Sequence, residues 1–188
     1  MDAHATTMGP TTRQRQADFR ALLEAHRRIV LKVAGTYARH PDDRADLAQE
    51  IAAQLWRAFP GYDAGRPFST WMYRIALNVA ISHVRQQALR RGVVEPLDDD
   101  HAAVPGDAGP DHETGEAQRV LERLIAALEP LDRALLLLYL DERPQREIAE
   151  VLGISTTNVA TKIGRLKQRL RQQLAGDTPS NGDTHGTR

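Results

Sequence analysis

Between Val151 and Gly176 the chain carries Lys162, Arg165, Lys167, Arg169 and Arg171 and not one carboxylate. A locally basic segment of this kind suits contact with phosphates. Around it the residue types fall in a set order: Arg146-Glu-Ile-Ala-Glu-Val-Leu-Gly-Ile-Ser155, then Thr156 to Leu174. Pro144 suits the first turn of a helix, where its missing N–H costs nothing. Ala149 is small where two helices must approach. Gly153 supplies a tight turn with positive φ, and Ser155 is a good N-cap for the next helix. Val159, Ile163, Leu166 and Leu170 then recur at helical spacing and make one apolar stripe. This is the pattern of a helix-turn-helix, whose second helix enters the major groove. Its polar face carries Thr157, Asn158, Thr161, Lys162, Arg165 and Arg169.

A second set of chemical groups lies upstream. Asp43-Arg-Ala-Asp-Leu-Ala-Gln-Glu50 places carboxylates and an amide on one helical face, able to pair with arginines of a partner. An ordinary acidic first turn would also account for the acids taken alone. Phe59, Tyr62, Phe68, Trp71 and Tyr73 supply rings, and Arg66, Arg74 and Arg85 supply charge. Rings with cations hold single-stranded nucleic acid by stacking and phosphate contact. Asn78 offers a donor and an acceptor, which suits a base edge. Phe68 and Trp71 fit a core better than a stacking platform; Tyr62 and Asn78 are the better binding candidates.

Helices must position all of these groups. Helical patterning begins near Gln14, and Phe19, Leu22, Leu23, His26, Ile29, Val30 and Val33 share a broad apolar face that His40-Pro41-Asp42 breaks. A second helix is expected from about Asp42 to Phe59, with Leu47, Ile51, Leu55 and Phe59 at spacing four. Pro60-Gly61 and Gly65-Arg66-Pro67 bracket a loop. Ser69 is expected to cap a third helix running to about Arg91. Further helices are expected over Ala117–Leu128 and Leu131–Leu140. Alternating strand patterns are nearly absent. The expected fold class is all-α: two small helical domains joined by a flexible acidic linker, the C-terminal one with the helix-turn-helix. The expected boundaries are a disordered tail over 1–12, domains over 13–91 and 116–175, the linker over 92–115, and a second disordered tail over 176–188.

Net charge is zero, but the distribution is basic–acidic–basic. Ala64 to Val94 holds five arginines and no acid, whereas Glu95 to Glu116 holds eight acids and no lysine or arginine. With no cysteine and seven scattered histidines, thiolate, disulfide and zinc chemistry are not expected, and no metal or cofactor is called for. No catalytic constellation or phosphate-cradling glycine loop occurs, so the chain does not read as an enzyme. No apolar run is long enough for membrane insertion, and the N-terminus lacks a secretory pattern, which points to the cytoplasm.

Taken together, Asp43–Glu50, Leu55-Trp56, the helix Phe68-Ser-Thr-Trp-Met-Tyr-Arg-Ile-Ala-Leu-Asn78 and the C-terminal helix-turn-helix closely resemble bacterial sigma factors of the extracytoplasmic-function (ECF) group, in the sigma-70 family. The resemblance covers about Phe19 to Leu174. It implies that Asp46, Gln49 and Glu50 dock on the beta-prime clamp helices of core RNA polymerase, with the beta flap as a further polymerase contact. It implies that Tyr62, Arg66, Arg74, Asn78 and Arg85 serve minus-ten recognition and melting of promoter DNA. It implies that Thr157, Asn158, Thr161, Lys162 and Arg165 serve the minus-thirty-five element. An anti-sigma factor is a further partner that the resemblance suggests. The sequence departs from the commoner pattern at Ser155-Thr-Thr-Asn158, Ala160 and Gly164, which leaves fewer reaching side chains on the second helix. Asp98–Asp100 are expected either to mimic nucleic acid in a polymerase groove or to act as a solvated spacer. Two other readings use part of the pattern: a helix-turn-helix regulator that binds an operator unaided, and a helical adaptor that binds protein alone.

Overall fold

The computed structural model describes residues 12–93 and 123–176, with the side chains of 91–93 and 174–176 excepted. The chain divides into two compact units, Met1–Pro96 and Leu97–Arg188. The described residues are helical, without strands. Of the expected tails and linker, residues 1–11, 94–115 with Asp98–Asp100, and 177–188 lie outside the described residues, whereas Thr12 opens a helix and residues 92–93 end one.

The first unit holds α1 (Thr12–Ala25), α2 (Arg27–Tyr37), α3 (Pro41–Ala58), a single 3-10 turn (Phe59–Gly61) and α4 (Phe68–Val93). Pro41 opens α3 where its lost N–H is harmless, and Asp42 and Asp43 sit in the first turn, at the positive end of the helix dipole. Leu47, Ile51 and Leu55 are wholly buried at spacing four. They meet α4 and α2, and the three helices pack pairwise. From α4 the core receives Met72, Tyr73, Ala76, Leu77 and Ala80; from α2, Val33 and Ala34.

Three local expectations are corrected. The apolar face from Phe19 to Val33 does not belong to one helix: His26 takes φ −115° and ψ 13° and separates α1 from α2. Its Nδ1–H donates to the Leu22 carbonyl at 3.0 Å, and its ring meets the edge of Phe68 at 5.3 Å. Ser69 is not the cap of α4. Helix geometry already holds at Phe68, and the Pro67 carbonyl accepts from the Trp71 N–H at 3.3 Å. Tyr73, read as one of the available rings, is fully buried.

The second unit contains a helical turn at 123–126, then α5 (Pro130–Leu140), α6 (Gln145–Leu152) and α7 (Thr156–Gly176). Arg133 of α5 reaches back and donates to the carbonyls of Ala126 (2.7 Å) and Leu128 (3.2 Å), closing off that turn. Both α5 and α6 end in the same hydrogen-bonded cap. The Arg143 N–H returns to the Leu138 carbonyl at 3.1 Å, and the Ile154 N–H returns to the Ala149 carbonyl at 3.1 Å. The left-handed residue that each cap needs is Glu142 (φ 56°) in the first and Gly153 (φ 68°) in the second. Pro144 precedes α6 as its cap residue instead of lying in the first turn. The core joins Ala134, Leu135 and Leu138 of α5 to Ile148 of α6 and Val159 of α7.

Candidate nucleic-acid interface

On α3 the buried and exposed residues segregate cleanly. Asp46, Gln49 and Glu50 are exposed, whereas Leu47, Ile51 and Leu55 are buried. The three polar residues fall at i, i+3 and i+4, which puts them on one face. Glu50 is not wholly isolated: its Oε2 lies 3.9 Å from Nδ1 of His83 on α4. The Gln87 amide donates to the other ring nitrogen of His83 at 2.9 Å.

The loop between the 3-10 turn and α4 is held by its own groups. The Tyr62 hydroxyl donates to the Arg66 carbonyl at 2.7 Å, and the Gly65 N–H donates to Asp63 Oδ1 at 2.9 Å. Arg66 Nε lies 3.8 Å from Asp63 Oδ2. Above this loop Tyr62 packs against Phe68 at 5.2 Å and Trp71 at 5.1 Å between ring centroids. Phe68 is core, as expected. Tyr62 and Trp71 are half-buried and line an open concavity of about 310 Å³ with Gly61, Asp63 and Arg66. A shallow ring-lined hollow with a cation at its rim is suited to an unstacked base.

Arg74, Asn78 and Arg85 are exposed on α4. Their spacings of four and seven align them, and Trp71, three residues before Arg74, falls on the same side of the helix. The structure therefore joins the hollow to the polar stripe through Trp71. Sequence reasoning assigns Trp71 to the core instead. Its alignment with Arg74 and Asn78 at helical spacing is the signal that could have flagged it.

In the second unit, Ser155 Oγ accepts from the Asn158 N–H at 3.2 Å and caps α7 as expected. Val159, Ile163 and Leu166 are buried, while Thr157, Asn158, Thr161 and Arg165 are exposed. The basic residues divide. Lys162 Nζ lies 3.7 Å from Asp132 Oδ1, and Arg169 Nη1 lies 3.4 Å from Asp132 Oδ2. Lys167 Nζ sits over the Tyr139 ring, 4.4 Å from its centroid. Arg165 and Arg171 are exposed. Lys162, expected to flank the reading positions Thr161 and Arg165, is drawn toward α5.

Two sigma-70 family models match this chain in order: region 2 over residues 22–90 and region 4 over residues 118–170. The chain belongs to the sigma-70 family. The ECF RNA polymerase sigma factor SigG of Mycobacterium tuberculosis is 29% identical over 196 residues, covering 90% of this chain and 51% of SigG. This sigma-70 family member therefore spans about half the length of that relative. RNA polymerase sigma factor CnrH of Cupriavidus metallidurans is 28% identical over 172 residues, covering 87% of this chain and 90% of CnrH. Among solved structures, CnrH in complex with the cytosolic domain of CnrY has a TM-score of 0.63 at 24% identity, covering 87% of this chain and 91% of that one. The sigma factor RpoE of Bartonella quintana, solved with the anti-sigma factor NepR, also gives 0.63, at 16% identity, covering 86% of this chain and 97% of that one. These two share the two-domain helical fold of this sigma-70 family member. Among its described residues no helix is long and apolar enough to cross a membrane.

Proposed function

We propose that this chain is a promoter-specificity subunit: it binds core RNA polymerase, directs it to particular promoters and helps open the DNA. The observation that carries the reading is the segregation on α3. Asp46, Gln49 and Glu50 stand exposed as a set on one face of α3, in the segment that resembles the family's polymerase-docking segment, while Leu47 and Ile51 beside them are buried. The domain proposed over 13–91, within the first unit, would then supply polymerase docking and the minus-ten contact. There Tyr62 and Arg66 shape the hollow, and Arg74, Asn78 and Arg85 extend it along α4. The domain proposed over 116–175, within the second unit, would supply the minus-thirty-five contact through Thr157, Asn158, Thr161 and Arg165, with Lys162 at the flank. RNA synthesis belongs to the polymerase, and the work lies in the cytoplasm where polymerase and promoter meet. CnrH and RpoE were each solved with a second protein. An anti-sigma factor covering these surfaces is accordingly the regulator we assign to this chain as well. An operator-binding regulator would leave both the α3 face and the α4 stripe unused.

The test is run-off transcription from a promoter library with purified core polymerase. Specific transcripts are expected only when chain and core are both present. The triple variant Asp46→Ala, Gln49→Ala, Glu50→Ala should lose core binding in a pull-down while keeping its helical circular dichroism, because all three side chains are exposed. Sequence-specific duplex binding by the chain alone, undiminished in that variant, would refute the proposal in favour of a free-standing regulator.

A further inference from the structure

We propose that Asp132 of α5 is a specificity-determining residue acting on the DNA-facing helix: by pairing with Lys162 and Arg169 it withholds two cations of α7 from phosphates and so restrains sequence-independent binding. The inference rests on the proposed role of α7 as a DNA reader.

Asp132 belongs to α5, in the first turn of that helix, where a carboxylate is favoured by the helix dipole. The acid is therefore held by one helix and aimed at another. Its side chain is 19% exposed and that of Lys162 is 33% exposed. One carboxylate meets both cations, oxygen by oxygen: Oδ1 faces Lys162 and Oδ2 faces Arg169. Lys162 and Arg169 are seven residues apart, two turns of one side of α7, so a single acid at mid-height spans both. Of the polar residues that can tell bases apart, Asn158 and Arg165 stand exposed beside the paired cations on the same side of α7, and Thr157 and Thr161 stand exposed on the adjoining face. The division has a physical consequence. Contacts to phosphate add affinity without sequence information, while base-edge contacts discriminate. An acid that quenches flank charges and leaves the reading face open lowers the first contribution and spares the second.

The experiment measures binding of the full chain to a short mixed-sequence duplex as salt is raised, by fluorescence anisotropy. Each cation newly engaged with a phosphate steepens the slope of log K against log salt by about 0.9. Asp132→Asn keeps the shape of the side chain and removes its charge. It should steepen the slope by about 0.9 to 1.8 and tighten binding at low salt. Adding Lys162→Gln and Arg169→Gln to Asp132→Asn should return the slope to that of the parent. In the parent background, the same two glutamines should flatten the slope by less than about 0.9, since the pair is already engaged. This last measurement does not depend on Asp132→Asn folding; a loss near 1.8 would overturn the proposal by itself. Arg165→Gln separates the two layers of inference. If it flattens the slope while Asp132→Asn changes nothing, α7 reads DNA and Asp132 does not restrain it. If no variant moves the slope, α7 is not a DNA reader and both readings fall.

Discussion

Gly153→Ala and Gly164→Ala are the same chemical change on two glycines of the helix-turn-helix, and the structure gives them opposite signs. Gly153 ends α6 at φ 68° and ψ 32°. A Cβ there would meet nothing within 4 Å, so the penalty is conformational alone. The left-handed region costs an L-residue about 1–2 kcal/mol. The stiffer unfolded chain returns about 0.4–1 kcal/mol of that. The net is a loss of about 1 kcal/mol. Gly164 lies inside α7 without positive φ, and its Cβ would also meet open space. There alanine gains about 0.8–1.0 kcal/mol over glycine. The two variants should differ by about 2 kcal/mol, roughly a thirtyfold change in a local opening equilibrium. With two units in one chain, a single global unfolding free energy is not well defined. Amide hydrogen exchange of the full chain at Val159, Ile163 and Leu166 isolates the unit concerned. Protection should fall in Gly153→Ala and rise in Gly164→Ala. Movement of both in one direction, or unchanged protection in Gly153→Ala, would refute the assignment of these two backbone states.

Burial and capping set two further outcomes. Tyr73→Ala removes a fully buried ring and should cost about 3–5 kcal/mol, enough to unfold the first unit. Tyr62→Ala, at the hollow, should leave that unit folded and weaken promoter opening, scored by permanganate reactivity. Both tryptophans, Trp56 and Trp71, lie in this unit and report its unfolding by fluorescence; equal destabilisation by the two variants would sink the distinction. Ser155→Ala should cost the second unit about 1 kcal/mol by leaving the Asn158 N–H without its cap, read from exchange at that amide.

The parts of the fold that the sequence made legible are those governed by local spacing. Leu47, Ile51 and Leu55 fixed the inner face of α3, and Val159, Ile163 and Leu166 that of α7. Gly153 and Ser155 marked a turn and a cap because each residue type has one strong local reason to be there. The misses are places where a distant partner decides. His26 interrupts an apolar pattern that would run on unbroken; its ring rests on Phe68, far along the chain. Glu142 takes a left-handed cap where sequence rules look for glycine or asparagine. Tyr73 and Tyr62 are the same residue type in the same aromatic stretch, and only packing separates the buried ring from the half-buried one. Asp132 meets Lys162 and Arg169 across two helices, a relation that no local periodicity encodes.

That last relation bears on how the proposed function must be delivered. With Lys162 and Arg169 held by Asp132, and Lys167 over Tyr139, α7 offers phosphates chiefly Arg165 and Arg171. The stripe on α4 adds Arg74 and Arg85. At about 0.9 of salt slope per contact, each unit alone makes a weak, easily screened attachment to DNA. Ala160 and Gly164, both exposed on α7, add no reach. Such a reader gains useful affinity only when a second attachment raises its effective concentration at the site. The exposed Asp46, Gln49 and Glu50 on α3 provide that attachment on the proposed reading, by fixing the chain to a polymerase that itself holds the DNA. Weak individual readers are then an advantage. Neither unit holds random duplex firmly enough to compete with the promoter, and discrimination rests on both elements being present while the polymerase supplies the binding energy.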